Sequence, residues 1–335
     1  PAGKRTLSQW MKFANSLRLR LAIRVSMSAP DLARAEVAKA MDATAGGVLE
    51  SADETVAVST ESGYKNPLGT VNEGWGEVFM GATMESVLVG YNDPRLIKYY
   101  SKAEGGDIKD EKGNLIIAER NKIAGTYKGV PQGTGVTVKD ENRYRLHSKS
   151  TITKQTDAIL MTAAEVWFLR AEAALRGFTS ENVKDCYEKG ITVSCQQWGV
   201  NVGDYLTSDA TPSDYVDAFE AKYDVKALIK VTPKWDGGAS PEEQLERILT
   251  QKWIACYPEG YEAWTEQRRT GYPQLFKVFV NNSGGAIDTN IRIRRLPYPS
   301  DIQKNNPTQY SALKKALGGE DNGGTRLWWD TGRNF

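Results

Sequence analysis

The chain contains one histidine, His147, and three cysteines, Cys186, Cys195 and Cys256, among 335 residues. That scarcity removes whole classes of chemistry. A His-rich metal centre or paired Cys-x-x-Cys knuckles cannot be assembled from it, and a Ser/His/Asp triad would rest on His147 alone. His147 lies in a basic, polar stretch with Arg143, Arg145 and Lys149, which predicts an exposed loop residue with no visible catalytic partner. The odd cysteine count argues against a disulfide framework and leaves a single bridge open. Net charge is scarce as well: 43 Lys+Arg against 42 Asp+Glu leave +1, without the basic footprint of a nucleic-acid binder. No apolar run reaches the ~18–20 residues of a membrane span. No GxxxxGK[ST] or strand-bound GxGxxG offers a phosphate cradle, so neither cofactor nor metal is expected. The sequence enters a very apolar helix with no leader before it, and is expected to be the remainder of a longer chain.

What is present is an ordinary globular composition, 40% hydrophobic and 25% charged. The length exceeds the ~250–300 residues at which single cores stop growing, so one extended or bilobed unit is expected. Leu7 to Met27 repeats apolar residues at three- and four-residue steps around most of a helix, with Arg18, Arg20 and Arg24 as the polar remainder. Such a helix is buried on more than one side. Pro30 opens a second helix that Gly46-Gly47 closes, giving a hairpin over residues 1–47. Residues 48–156 read as a loop-rich lobe with isolated aromatics, one helix near 77–89 and short strands such as 115–118. Helical periodicity returns in a paired scaffold over 157–273. There, helices are expected over 157–176, after a Thr179 or Ser180 cap, over 212–223, from Ser240-Pro241-Glu242-Glu243, and over 261–269. Residues 274–335 read as irregular. Small-residue packing among Ala163, Ala164, Ala171, Ala173 and Ala174 suggests tetratricopeptide-like helix pairs.

Glu262 and Glu266 share one helical face, a spacing that an all-α glycoside hydrolase could use. Carboxylates without a cleft ~5–9.5 Å wide between them are better read as ion-paired, here with Arg268 and Arg269, and Glu165 and Glu172 are judged alike. The aromatics are more telling, because Tyr 15 and Trp 9 together outnumber Phe 8 threefold, and rings with a polar handle suit wet binding surfaces. Trp75, flanked by Gly74 and Gly76 in a polar loop, reads either as a sugar-stacking platform or as a ring tucked back onto the body. Tyr64 and Asn66 are its expected ring and hydrogen-bonding neighbours. Trp198 and Trp235 occupy similar helix-end or loop settings, and Trp328-Trp329-Asp330 reads as a structural anchor.

Several strings carry a family resemblance when taken in order. They are Trp10–Arg20 (WMKFANSLRLR), Asn92–Arg95 (NDPR), Tyr127–Pro131 (YKGVP), Glu165–Leu175 (EVWFLRAEAAL) and Lys252–Tyr257 (KWIACY) with Glu259-Gly260. Arg268–Pro273 (RRTGYP), Arg294–Pro299 (RRLPYP) and Trp328–Asp330 complete the series. The chain resembles the SusD/RagB-like outer-membrane lipoproteins of Bacteroidota over nearly its whole length. The resemblance implies an all-α fold of tetratricopeptide-like pairs with a large irregular lobe and a few short strands, forming one unit that is the C-terminal two-thirds of a longer protein. It also implies non-catalytic capture of oligosaccharides at the cell surface, a SusC-like TonB-dependent transporter as partner, and a lipid anchor and first helix pairs outside this chain. The shared strings are scaffold residues and transfer no ligand site. The alternatives are an all-α glycoside hydrolase, a peptide-binding member of the family, and a helical-repeat scaffold for a protein partner.

Overall fold

The computed structural model describes residues 6–61, 63–135 and 142–335. Its first element, α1 (Leu7–Arg24), starts at Thr6, whose hydroxyl accepts from Gln9 N while the Gln9 side chain returns to the cap backbone. Its inner face buries Leu19, Ala22 and Ile23 against α2 (Pro30–Ala40), which contributes Ala33, Val37 and Ala40. The arginines of α1 are more than a polar remainder. Arg20 and Arg24 reach inward to the buried carboxylates of Glu165 and Glu262.

The scaffold continues with α6 (Ala163–Leu175), α7 (Val183–Gln197), α8 (Pro241–Ala255) and α9 (Gly260–Thr270). The α6 helix is buried nearly all round, between α7, α8 and α1. The alanine-rich pattern permits this close approach, and Gly190 on α7 completes it, since a Cβ there would stand 2.8 Å from the Phe168 ring. The predicted cap of α8 is present in full: Ser240 Oγ accepts from Glu243 N, and the Glu243 carboxylate accepts from Ser240 N.

Between the hairpin and α6 lies the lobe. It carries α3 (Pro67–Thr70), α4 (Ala82–Gly90), α5 (Leu96–Tyr99) and two small antiparallel sheets. In one, β1 (Val56–Val58) pairs with β4 (Ala158–Met161); in the other, β2 (Ile108–Lys109) pairs with β3 (Leu115–Ile117). The main core runs from Leu19 and Ile23 through Leu88, Tyr91 and Tyr99 to Phe168, Tyr187, Ile248 and Ile254, joining lobe and scaffold. All three cysteines are buried and free.

Five sequence-based expectations need correction. Residues 157–161 belong to β4, not to a helix, because Asp157 caps the Thr60 backbone and Thr162 is the N-cap of α6. The cap of α7 is Asn182 rather than Thr179 or Ser180. No helix spans 212–223. Asp217 is wholly buried and accepts from the Phe219 and Glu220 backbones and the Tyr215 hydroxyl, a local turn that outcompetes helical hydrogen bonds. The C-terminal segment contains α10 (Ser300–Asn305) and α11 (Pro307–Leu317), the latter capped by Asn306 and ended at Gly318, φ +74°. Finally, His147 is 2% exposed rather than on the surface. Backbone bridges from Lys149 to Phe79 and from Ser150 to Tyr100 draw its segment inward, under Tyr144 and Phe219.

Candidate functional site

The segment around Trp75 is built as a rigid mount. Asn66 is the N-cap of α3: its Oδ1 accepts from Leu68 N at 3.0 Å and its Nδ2 donates to Thr156 O at 3.0 Å. Helix α3 lies directly on the neighbouring backbone, because a Cβ at Gly69 would fall 2.1 Å from the Thr153 carbonyl. Only glycine permits that approach. The chain then widens into a single π-type turn, Val71–Trp75. Asn72 Nδ2 donates to Ser150 O at 2.7 Å and Ile152 O at 2.8 Å, and Glu73 Oε2 accepts from Lys154 N at 2.8 Å. Gly76, φ +67°, ends the turn.

At the end of this mount the Trp75 side chain is 59% exposed. No described residue stacks on it or hydrogen-bonds it. An indole held out on a pinned turn is a preorganised apolar plate in water. Tyr64, earlier on the same segment, is also exposed.

The other proposed neighbours have different duties. Asn66 is buried, and both ends of its carboxamide are engaged by backbone, so it positions the mount. Trp198 packs edge-on to Tyr99 with 4.7 Å between centroids, and lies 5.8 Å from Tyr257, at the margin of the main core. Tyr257 shares a 2.6 Å hydrogen bond with Ser150 Oγ, and Ser150 O accepts from Asn72, so Trp198 buttresses the mount from behind. Trp235 lies 5.1 Å from Tyr187, also on the core margin. Neither belongs to the lobe surface.

Sequence reasoning missed Tyr261. A trough of 550 Å³ runs beside α3, lined by Asn66, Pro67, Leu68, Ile159, Tyr261 and Trp264, and Tyr261 is 75% exposed at its side. An apolar helix position with so little cover is the signal that could have found it; periodicity alone assigned Tyr261 to a short helix and went no further.

The carboxylates are committed elsewhere. Glu262 binds Arg24 and Lys252 (3.1 Å), and Glu266 binds Arg269 (2.7 Å) and Lys252 (3.2 Å). Burial works against ionisation of Glu266, but Arg269 and Lys252 outweigh it and hold this carboxyl well below the usual range. Arg269 also forks onto Glu172, with both contacts at 2.7 Å. Arg268 pairs with neither acid: it donates to the Arg294 carbonyl and lies 3.7 Å from the Trp264 ring centroid. The C-terminal anchor is Asp330, gripped by Arg294, with Trp329 against Arg268; Trp328 itself is exposed. Burial, reinforced by Lys128, depresses the His147 pKa to about 3, and neither ring nitrogen has a partner among the described residues. Among the described residues no three metal-ligating side chains converge, and no helix is long and apolar enough to cross a membrane.

A helix-pair scaffold carrying an irregular lobe is an all-α architecture of the tetratricopeptide-like class. The SusD-like family model, described as Susd and RagB outer membrane lipoprotein, matches residues 3–330, and the chain belongs to that family. A SusD homolog from Bacteroides vulgatus is 52% identical with a TM-score of 0.89, the alignment covering 98% of this chain and 64% of that one. A chitin-binding SusD homolog from Flavobacterium johnsoniae is 37% identical, TM-score 0.86, with 98% and 65% covered. A susD homolog from Bacteroides thetaiotaomicron is 34% identical, TM-score 0.85, with 97% and 66% covered. The chain thus spans about two-thirds of the length of these structures. No curated protein matches it.

Proposed function

We propose that this chain is the main part of a non-catalytic, cell-surface lipoprotein that binds oligosaccharides and works with a SusC-like TonB-dependent transporter. The observation that carries the reading is Trp75, an unpartnered exposed indole on a hydrogen-bonded mount. Sugar rings offer apolar C–H faces to such a plate, while their hydroxyls seek the polar groups that surround it. Family membership and the chitin-binding relative from Flavobacterium johnsoniae support a glycan as the ligand class. Trp75 is the primary platform, Tyr64 a second ring, and Tyr261 beside the trough a third. The ion-paired state of Glu262 and Glu266 argues against the hydrolase alternative.

An aromatic stack contributes about 1–2 kcal/mol, so Trp75→Ala is expected to weaken glycan binding roughly 5- to 30-fold and to leave the thermal melt unchanged. Calorimetry on the full-length protein, with a glycan that binds the parent, reads the effect. Unchanged affinity would remove Trp75 from the site. Release of new reducing ends with sustained turnover would sink the binding-only reading.

The family description as an outer membrane lipoprotein supports attachment to the membrane by a lipid anchor. The outer face of α1 supports a second partner, the part of the protein N-terminal to these residues. Leu7, Trp10 and Leu21 are exposed there, and a groove of 540 Å³ runs between Leu17, Leu21 and Val25 and the exposed Leu32 of α2. Apolar surface of this extent is ordinarily covered.

A further inference from the structure

A cavity of 620 Å³ opens between α8, α9 and residues 275–293, and shares with the trough beside α3 only the Trp264 indole and Gly260. Its volume lies within the roughly 300–1,000 Å³ of small-molecule sites. The walls are Trp253, Trp264, Val278 and Ile287. They are held in place before any ligand arrives. Trp264 Nε1 donates to Ile293 O at 3.1 Å, Phe279 N to Gln132 O at 3.0 Å, and Asn281 Nδ2 to Ile287 O at 2.8 Å.

Two polar groups in this apolar setting, Gln267 and the half-buried Arg292, have hydrogen-bonding capacity to spare. Gln267 is 8% exposed, yet no described residue hydrogen-bonds its carboxamide. Arg292 is held at φ +63°, a backbone conformation that L-residues rarely adopt. Its guanidinium donates to Gln132 Oε1 at 2.9 Å and to the Phe276 carbonyl, which leaves three of its five N–H groups unused. Among the described residues no carboxylate stands within ion-pair distance of it. Nearby Arg294 and Arg295, by contrast, are closed onto Asp330 and Asp321. Burial lowers the Arg292 pKa, and among the described residues no anion opposes it, so the described site carries a positive charge in partly desolvated surroundings.

We propose that this cavity is a second binding site, for a small anion whose carboxylate or sulfate is borne on a ring with an apolar face. The planar guanidinium fork matches a two-oxygen anion. The indoles take the ring, and Gln267 is free to pair with a hydroxyl. An acidic sugar unit and an aromatic acid share this chemistry.

Calorimetric titration of the full-length protein with D-galacturonate, benzoate and D-galactose, at one ionic strength, separates the sources. At least one acid is expected to bind tenfold or more tightly than D-galactose: galacturonate alone identifies an acidic sugar, benzoate alone an aromatic acid. Arg292→Gln is expected to abolish the preference, and Ala263→Phe, which fills the cavity from α9, to abolish binding. Trp75→Ala is expected to weaken sugar contacts at the mount and to leave the preference for the acid intact. The proposal is overturned if neither acid exceeds D-galactose, if the preference survives Ala263→Phe in a protein with the parent's melt, or if Trp75→Ala removes it. Should Arg292→Gln melt early, Ala263→Phe decides alone.

Discussion

His147 shows how completely burial can reassign a single residue. Its neighbours in sequence are basic and polar, but the ring lies 5.1 Å from Tyr144 and 5.9 Å from Phe219, with its pKa lowered from 6.5 to about 3. Protonation therefore favours the unfolded chain between those two values. The penalty is absent above about pH 6.5 and grows as pH falls toward 3, by at most about 1.4 kcal/mol per pH unit. His147→Phe keeps an aromatic ring and removes the titration, so its stability loss between pH 6.5 and 4.5 is expected to be about 2 kcal/mol smaller than the parent's. Urea midpoints at the two pH values measure this; parallel losses in parent and variant would show that the buried ring carries no acid penalty. Glu172 and Glu266, whose pKa values are also depressed, add acid sensitivity to both proteins alike and cancel in the comparison.

At the scale of elements, local signals succeed where side chains act on their own helix and fail where they act on a turn. The Ser240 box is a contiguous arrangement, and α8 begins where Ser240-Pro241 places it. Asp217, by contrast, collects three donors across a turn that periodicity read as helix. These two residues should differ in consequence. Ser240→Ala removes one exposed cap and is expected to cost about 1 kcal/mol. Asp217→Ala strands several buried donors, each worth about 1–3 kcal/mol, and is expected to cost at least twice as much. Thermal or chemical denaturation of both variants settles the order. Equal costs would mean that water replaces the Asp217 carboxylate.

For the whole molecule, the open question is what covers α1. Leu21 is 51% exposed here, while the three native cysteines are buried and free. A Leu21→Cys variant can therefore be labelled selectively by a charged maleimide. In the 335-residue chain labelling is expected to be fast, and in the full-length protein at least tenfold slower, as the proposed seating of an N-terminal part on that face requires. Equal rates would leave the face open and its apolar residues without a partner inside the protein.

The sequence by itself determined the helix-pair scaffold, because periodicity, caps and small-residue packing are local properties that survive without long-range information. It also determined the family, through strings that form the scaffold: Glu172 and Arg269, far apart in the chain, close a buried ion pair. The exposed state of Trp75 was legible as one of two readings, from the glycines on either side of it. Only the tertiary structure showed that the ring is not tucked back, since exposure depends on how Asn66, Asn72 and Glu73 tie the turn to residues 150–156. It likewise decided that Trp198 and Trp235 pack at the core margin, that Asn66 is a cap, and that Arg292 has no acid beside it among the described residues. Each of these depends on which groups a folded chain brings within a few ångströms, and spacing along the sequence holds no record of that.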